Sequence, residues 1–184
     1  MITYKEAINI LSNALQPLPD FKIASEQAHG VLARDVISTE EVPNFSNSAM
    51  DGFAVRSVET NGANEDNPVR LEVRGCILAG QLAPVIDQKE SCCEIMTGSV
   101  MPTGFDAVIP VEQVEITDED GRVFIVINQS TQTGRNVRFS GEDFKPGQVV
   151  AKKGQLLNPH ILMAINANKI ESISVYRPPN VGIL

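Results

Sequence analysis

Near the amino terminus apolar residues recur at helical spacing. Tyr4, Ala7, Ile8, Leu11 and Leu15 share one face, and Thr3-Tyr-Lys-Glu6 has the form of a capping box. This predicts a helix that buries that stripe and stops before Pro17 and Pro19. Ser25 can cap a second short helix with Ala28, Val31 and Leu32 on its apolar face. Asp35-Val-Ile-Ser38 is extended, and Glu40-Glu-Val-Pro43 reads as a linker leaving a helical lobe.

From Pro43 to Asp143 the period changes. Short β-branched runs alternate with Gly, Pro, Asn and Asp clusters, the texture of an all-β barrel or compact sandwich. Arg70-Leu-Glu-Val-Arg74 alternates charge with apolarity, as a half-exposed strand does. Val111 to Thr117 and Arg122 to Ile127 flank the loop Asp118-Glu-Asp-Gly121, a hairpin signal. Asn61 to Pro68 is a polar loop. Helical periodicity then returns. Asn158 is an N-cap followed by Pro159 at the first helical position, with Ile161, Leu162 and Ile165 as the stripe. Asn168 suits a left-handed terminator, and Ile173 and Val175 alternate with serines in a following strand.

A β block enclosed by helical flanks predicts an α+β chain in which one domain is inserted into another. Residues 1–42 and 144–178 make a mixed helical and extended lobe, and 43–143 make an inserted all-β domain. After Arg177-Pro-Pro179, the run Asn180-Val-Gly-Ile-Leu184 resembles the opening of a buried strand. Residues 179–184 are therefore expected to begin a truncated α/β domain.

Bulk properties narrow the function. The net charge of −8 over 184 residues disfavours nucleic-acid backbones and anionic membrane surfaces as partners. No apolar run approaches the roughly 20 residues of a membrane span, and the amino terminus lacks the basic and then apolar order of a signal peptide. A cytoplasmic location is expected. Cys76, Cys92 and Cys93 have no C-x-x-C spacing and read as reduced thiols, the adjacent pair as small strand residues. Neither a phosphate-binding G-x-x-x-x-G-K-[ST] loop nor G-x-G-x-x-G occurs, and His29 and His160 are poor material for a catalytic triad.

Three stretches can carry chemistry. In Asn44-Phe-Ser-Asn-Ser-Ala-Met-Asp-Gly-Phe-Ala-Val55, the Asp51-Gly52 turn presents a carboxylate; on spacing alone a hairpin turn with a local Asx hydrogen bond is the favoured reading. Ile95-Met-Thr-Gly-Ser-Val-Met-Pro-Thr-Gly104 can aim hydroxyls and N–H groups at an anion, as a nest does, or simply turn the chain. Gly134-Arg-Asn-Val-Arg-Phe-Ser-Gly-Glu-Asp143 sets Arg135 and Arg138 for an oxyanion, or for a surface ion-pair network with Glu142 and Asp143.

Together these stretches resemble the molybdopterin molybdenumtransferase family, of the MoeA and gephyrin E-domain type. The matching residues run from Ala28-His-Gly-Val-Leu-Ala-Arg-Asp-Val36 through Val42 to Arg56, with Asn-Ser-Ala-Met-Asp-Gly as the most specific string. They continue through Ala79-Gly80, Met96-Thr-Gly98, Pro102, Gly104, Asp106-Ala-Val108, Glu112, Asn136-Val-Arg138 and Gly141-Glu-Asp143. Glu94 departs from the pattern, standing where the family often has a basic residue. Ser99-Val100 and Asn168 are further departures.

The resemblance implies the first two domains of a four-domain protomer in an elongated homodimer. The absent parts would be a pterin-binding α/β domain and a small β-barrel. It implies a reaction in which adenylylated molybdopterin and molybdate yield AMP and molybdenum on the dithiolene, assisted by Mg²⁺ held mainly by the absent domain. Carried onto this sequence, it makes Asp51 and Thr97 the catalytic pair: Asp51 positions metal or water, and Thr97 donates to a bound oxyanion. Ser48, Gly98, Arg138 and Asp143 are implied substrate-binding residues, with no metal ligand assigned within the chain. Such a fragment would be inactive alone. The rival expectation is a free-standing dimerisation or partner-docking scaffold without catalysis.

Overall fold

The computed structural model describes residues 2–183. In chain order the elements are helix α1 (Tyr4–Ala14) and strands β1 (Asp20–Ala24), β2 (Val36–Ile37), β3 (Asn47–Ser48), β4 (Gly52–Val55) and β5 (Val69–Ile77). Strands β6 (Ser91–Ile95), β7 (Ala107–Pro110), β8 (Glu115–Glu119), β9 (Arg122–Ile127), β10 (Val137–Arg138) and β11 (Val149–Ala151) follow. Helix α2 (Pro159–Ala167) and strand β12 (Ser172–Tyr176) complete the order. The chain divides into two compact units, Met1–Glu40 with Phe144–Leu184, and Glu41–Asp143.

In the first unit β1 pairs antiparallel with β12, from Asp20 opposite Tyr176 to Ala24 opposite Ser172, and β2 pairs with β11. Alternation along β12 turns Ile173 and Val175 inward. They join Ala28, Leu32, Val36, Ala151 and Ile165 of α2 in one core. Strand β1 follows Pro19 directly and has no counterpart in the sequence reading. Ser25 opens only a 3-10 turn, Ser25–Gln27, because its N–H is drawn to the Glu171 carbonyl beside β12. Val31 and Leu32 then make isolated bridges to Leu156 and Val175 instead of continuing a helix.

Both helices start as their sequences predict. Thr3 and Glu6 form the reciprocal capping box of α1, and Asn158 accepts from the Ile161 N–H at the start of α2. Burial of α1 does not follow. None of its residues is buried, and Tyr4 is 83% exposed, so the apolar stripe sets the period of the helix without joining the core. At the end of α2 the left-handed residue is Lys169, not Asn168. Asn168 is instead buried, and its side-chain amide donates back to the Ala164 carbonyl. The run 180–183 forms no strand, and Val181 and Ile183 are exposed; Leu184 lies outside the described residues.

The second unit is built on one mixed six-stranded sheet ordered β7-β4-β6-β5-β9-β8. All its pairs are antiparallel except β5 with β6. Asp120 and Gly121 both adopt positive φ and close the β8–β9 hairpin as a two-residue turn. Both faces of the sheet are covered. Phe53, Val55, Cys92, Ala107 and Ile109 point to one cluster, while Ala54, Cys93, Ile95 and Val108 point to the other. Strands β4 and β7 are therefore buried at every position, which explains their unbroken apolar runs. The paired cysteines fill strand positions. Burial holds the Cys92 thiol far above its ordinary range and pushes Cys93 up to about 11, so neither is a nucleophile at neutral pH.

Candidate functional site

The short strand β3 brings the three motifs together. Along one edge β10 pairs with it, Val137 opposite Ser48 and Arg138 opposite Asn47. Along the other edge Ser48 donates to the Ser99 carbonyl and accepts from the Gly98 N–H, while Asn47 bridges to Val100. Three residues after Ser48 the chain reaches Asp51, and one residue before Gly98 it reaches Thr97. The loop bearing each is thus anchored on the same two-residue strand.

At that junction a single carboxylate oxygen takes two hydrogens. Asp51 Oδ1 accepts from the Thr97 N–H at 2.6 Å and from the Thr97 hydroxyl at 2.6 Å. The side-chain bond from Thr97, then the backbone bond, hold the Asp51 carboxyl below its ordinary range, and burial opposes them only slightly. Asp51 Oδ2 has no partner among the described residues, and both side chains are exposed. The pair presents to solvent an ionised oxygen and the lone pairs of a hydroxyl. It is an acceptor set: the Thr97 proton expected to reach an oxyanion is directed at Asp51 instead.

The backbone behind Asp51 is held tightly. Its carbonyl accepts from the Val111 N–H at 3.1 Å, and Gly52 begins β4 opposite Pro110. A Cβ on Gly52 would lie 2.1 Å from the Ile109 carbonyl oxygen, so no side chain fits there. Here Asp-Gly is less a flexible turn than a close approach of two strands.

The other residues implicated by the sequence take different parts. Ser48 is buried, its hydroxyl donating to the Met50 carbonyl at 2.5 Å, so it shapes the turn instead of meeting a ligand. Gly98 has φ of 79° and gives its N–H to Ser48. With Ser99 N–H bound to the Met96 carbonyl and Thr97 N–H bound to Asp51, the three successive N–H groups of Thr97, Gly98 and Ser99 are all taken and make no anion nest. Arg138 and Asp143 pair with each other at 2.6 Å, both partly exposed. Asn136, between them and the Gly134 turn, has positive φ.

A second carboxylate, Asp106, matches the family pattern in the sequence but carries no role there. Asp106 Oδ1 accepts from Ser57 N–H at 2.6 Å, and Oδ2 accepts from the Ser57 hydroxyl at 2.7 Å and the Thr133 hydroxyl at 2.9 Å. Burial raises this carboxyl, but the Ser57 and Thr133 donors outweigh it and leave it below its ordinary range. Ser57 lies 49 residues from Asp106 and Thr133 lies 27 away, so no local spacing could have signalled the group.

Two clefts of this unit, of about 600 and 690 Å³, are lined by neither Asp51 nor Thr97. No cluster of three or more His, Cys, Asp or Glu side chains suited to a metal ion occurs among the described residues. Asp51 and Thr97 are exposed and lie outside both clefts.

Residues 2–168 match the family profile of the MoeA N-terminal region, domains I and II. The chain belongs to the MoeA family. Similar proteins include the molybdopterin molybdenumtransferase of Staphylococcus aureus (strain Mu50 / ATCC 700699), 32% identical across all of this chain and 43% of that protein. The molybdopterin molybdenumtransferase of Bacillus subtilis (strain 168) is 36% identical over 86% of this chain and 37% of its own length. Among solved structures, the molybdopterin biosynthesis moeA protein from Pyrococcus horikoshii OT3 superposes with a TM-score of 0.86 at 31% identity. That match covers 95% of this chain and 46% of that one. The chain thus spans under half the length of these MoeA relatives, and its fold is the mixed helix and strand architecture of their N-terminal part.

Proposed function

We propose that this chain supplies the platform half of a molybdopterin molybdenumtransferase site within molybdenum cofactor biosynthesis. In this reading adenylylated molybdopterin and molybdate are the substrates. The phosphoanhydride is cleaved by water, AMP leaves, and molybdenum remains on the dithiolene. The observation that carries the reading is the exposed Asp51 carboxylate, oriented by Thr97 through one oxygen and open at the other.

A carboxylate held ionised is a weak proton acceptor but a fixed hydrogen-bond acceptor. Asp51 Oδ2 orients the attacking water, and Thr97 keeps the carboxylate from rotating. Two anionic substrates beside a carboxylate need positive charge from elsewhere, because the described residues place no cation in contact with Asp51. Magnesium suits that demand chemically. Asp51 and Thr97 alone do not make a magnesium site. Arg138 and Asp143 act in this reading as a paired strut beside β3, available to substrate only if the pair opens.

Isolated, the chain is expected to be inactive, and in the whole protein it works in the cytoplasm as part of a homodimer. The unburied apolar stripe of α1 supports an association surface. It equally supports the second reading, a docking scaffold without chemistry. Molybdenum insertion measured in the native protein carrying Asp51→Asn separates the two. A loss of 100-fold or more is expected, on the order of a missing catalytic group; wild-type turnover would leave the scaffold.

A further inference from the structure

Among the described residues Asn136 is one of four non-glycine residues with positive φ, at 56°. Asparagine tolerates the left-handed region better than most residues, but glycine would do so at less cost. The side chain therefore needs a separate reason. Its amide Nδ2 donates to the Val108 carbonyl in β7 at 2.9 Å, and its own carbonyl accepts from the Ala49 N–H at 2.9 Å. Next to it, the Arg135 carbonyl accepts from the Val108 N–H at 2.9 Å.

These contacts grip the Asp51 turn from both sides. Ala49 lies two residues before Asp51. After Asp51 the chain enters β4, whose Ala54 pairs with Val108 and whose Gly52 pairs with Pro110. One residue thus ties the segment leading into the turn to the strand that flanks the segment leaving it. We propose that Asn136 is a positioning residue for the Asp51–Thr97 pair, acting through Ala49 and Val108 without touching a ligand. That Asp51 is the working carboxylate rests on the function proposed above; the placement itself does not.

Carboxylate titration by NMR on the native protein tests it. Asn136→Gly keeps the positive φ and the backbone bond to Ala49, and removes only the amide to Val108. It is expected to raise the Asp51 midpoint by a large part of the rise produced by Thr97→Val, leaving Glu6 in the α1 capping box unmoved. An Asp51 midpoint unchanged in a folded Asn136→Gly protein overturns the proposal. Should that variant not fold, Asn136→Ser is titrated in its place, with the same two outcomes. Loss of fold in both makes Asn136 a residue of the scaffold and overturns the proposal equally. If Asp51→Asn retains turnover while Asn136→Gly still moves the midpoint, the catalytic reading fails and the positioning role stands.

Discussion

Two aspartates in the β unit receive the same kind of donors and end in opposite states. Asp106 spends both oxygens on Ser57 and Thr133, within a partly buried knot. Asp51 spends one oxygen on Thr97 and leaves the other in solvent. The first is a staple across distant segments. The second is a presented group. What separates them is the count of satisfied lone pairs and the exposure, since residue type and direction of the pKa shift are shared.

The comparison can be broken most forcefully at Gly52. An added methyl meets the Ile109 carbonyl oxygen, and neither strand can yield without losing its pairing. Gly52→Ala should cost about 3 kcal/mol, seen as a lowered urea midpoint, and should disturb Asp51 along with the fold. Next comes the staple. Asp106→Ala removes the shared acceptor of three donors and should cost about 2 kcal/mol, whereas Asp51→Ala should leave the urea midpoint close to that of the unaltered chain. Equal losses from the two would erase the distinction drawn between them.

Acid sharpens the contrast. Both carboxyls have folded-state values below their unfolded ones. Each therefore stabilises the fold above its unfolded value, and that contribution is lost as pH falls through the folded one. The partly buried Asp106 should dominate, so Asp106→Asn should flatten the acid limb of stability against pH more than Asp51→Asn does. Smaller still, Thr97→Val should raise the Asp51 midpoint toward the ordinary carboxylate range with little change in stability. Least of all, breaking the exposed Arg138–Asp143 pair by Asp143→Asn should change stability by about 0.5 kcal/mol or less.

What could be read from sequence was whatever neighbours decide. The Thr3–Glu6 box, the Asn158-Pro159 start of α2 and the hairpin at Asp120-Gly121 each depend on residues a few positions apart, and each forms. Strand β1 escaped because its partner β12 lies at the far end of the chain. The site was half legible for the same reason. Asp51 and Thr97 meet, 46 residues apart, on motifs quoted from the sequence. Sequence could not show that Ser48 and Gly98 satisfy each other and Met50, since those bonds depend on which backbone comes to lie alongside. Exposure of the α1 stripe was hidden too, because periodicity reports amphipathicity and not what covers it.

The β unit begins and finishes side by side: the Asp143 N–H donates to the Val42 carbonyl, and the Gly141 N–H to that of Pro43. Just outside, Ser38 exchanges hydrogen bonds with Gly147 and Gln148. A ribosome making this chain releases β1 and β2 roughly a hundred residues or more before β11 and β12 exist to pair with them. Once the intervening segment folds, it draws its own termini together and shortens that wait to a small loop closure. The unit made in between thereby brings the early-made strands within reach of their late-made partners.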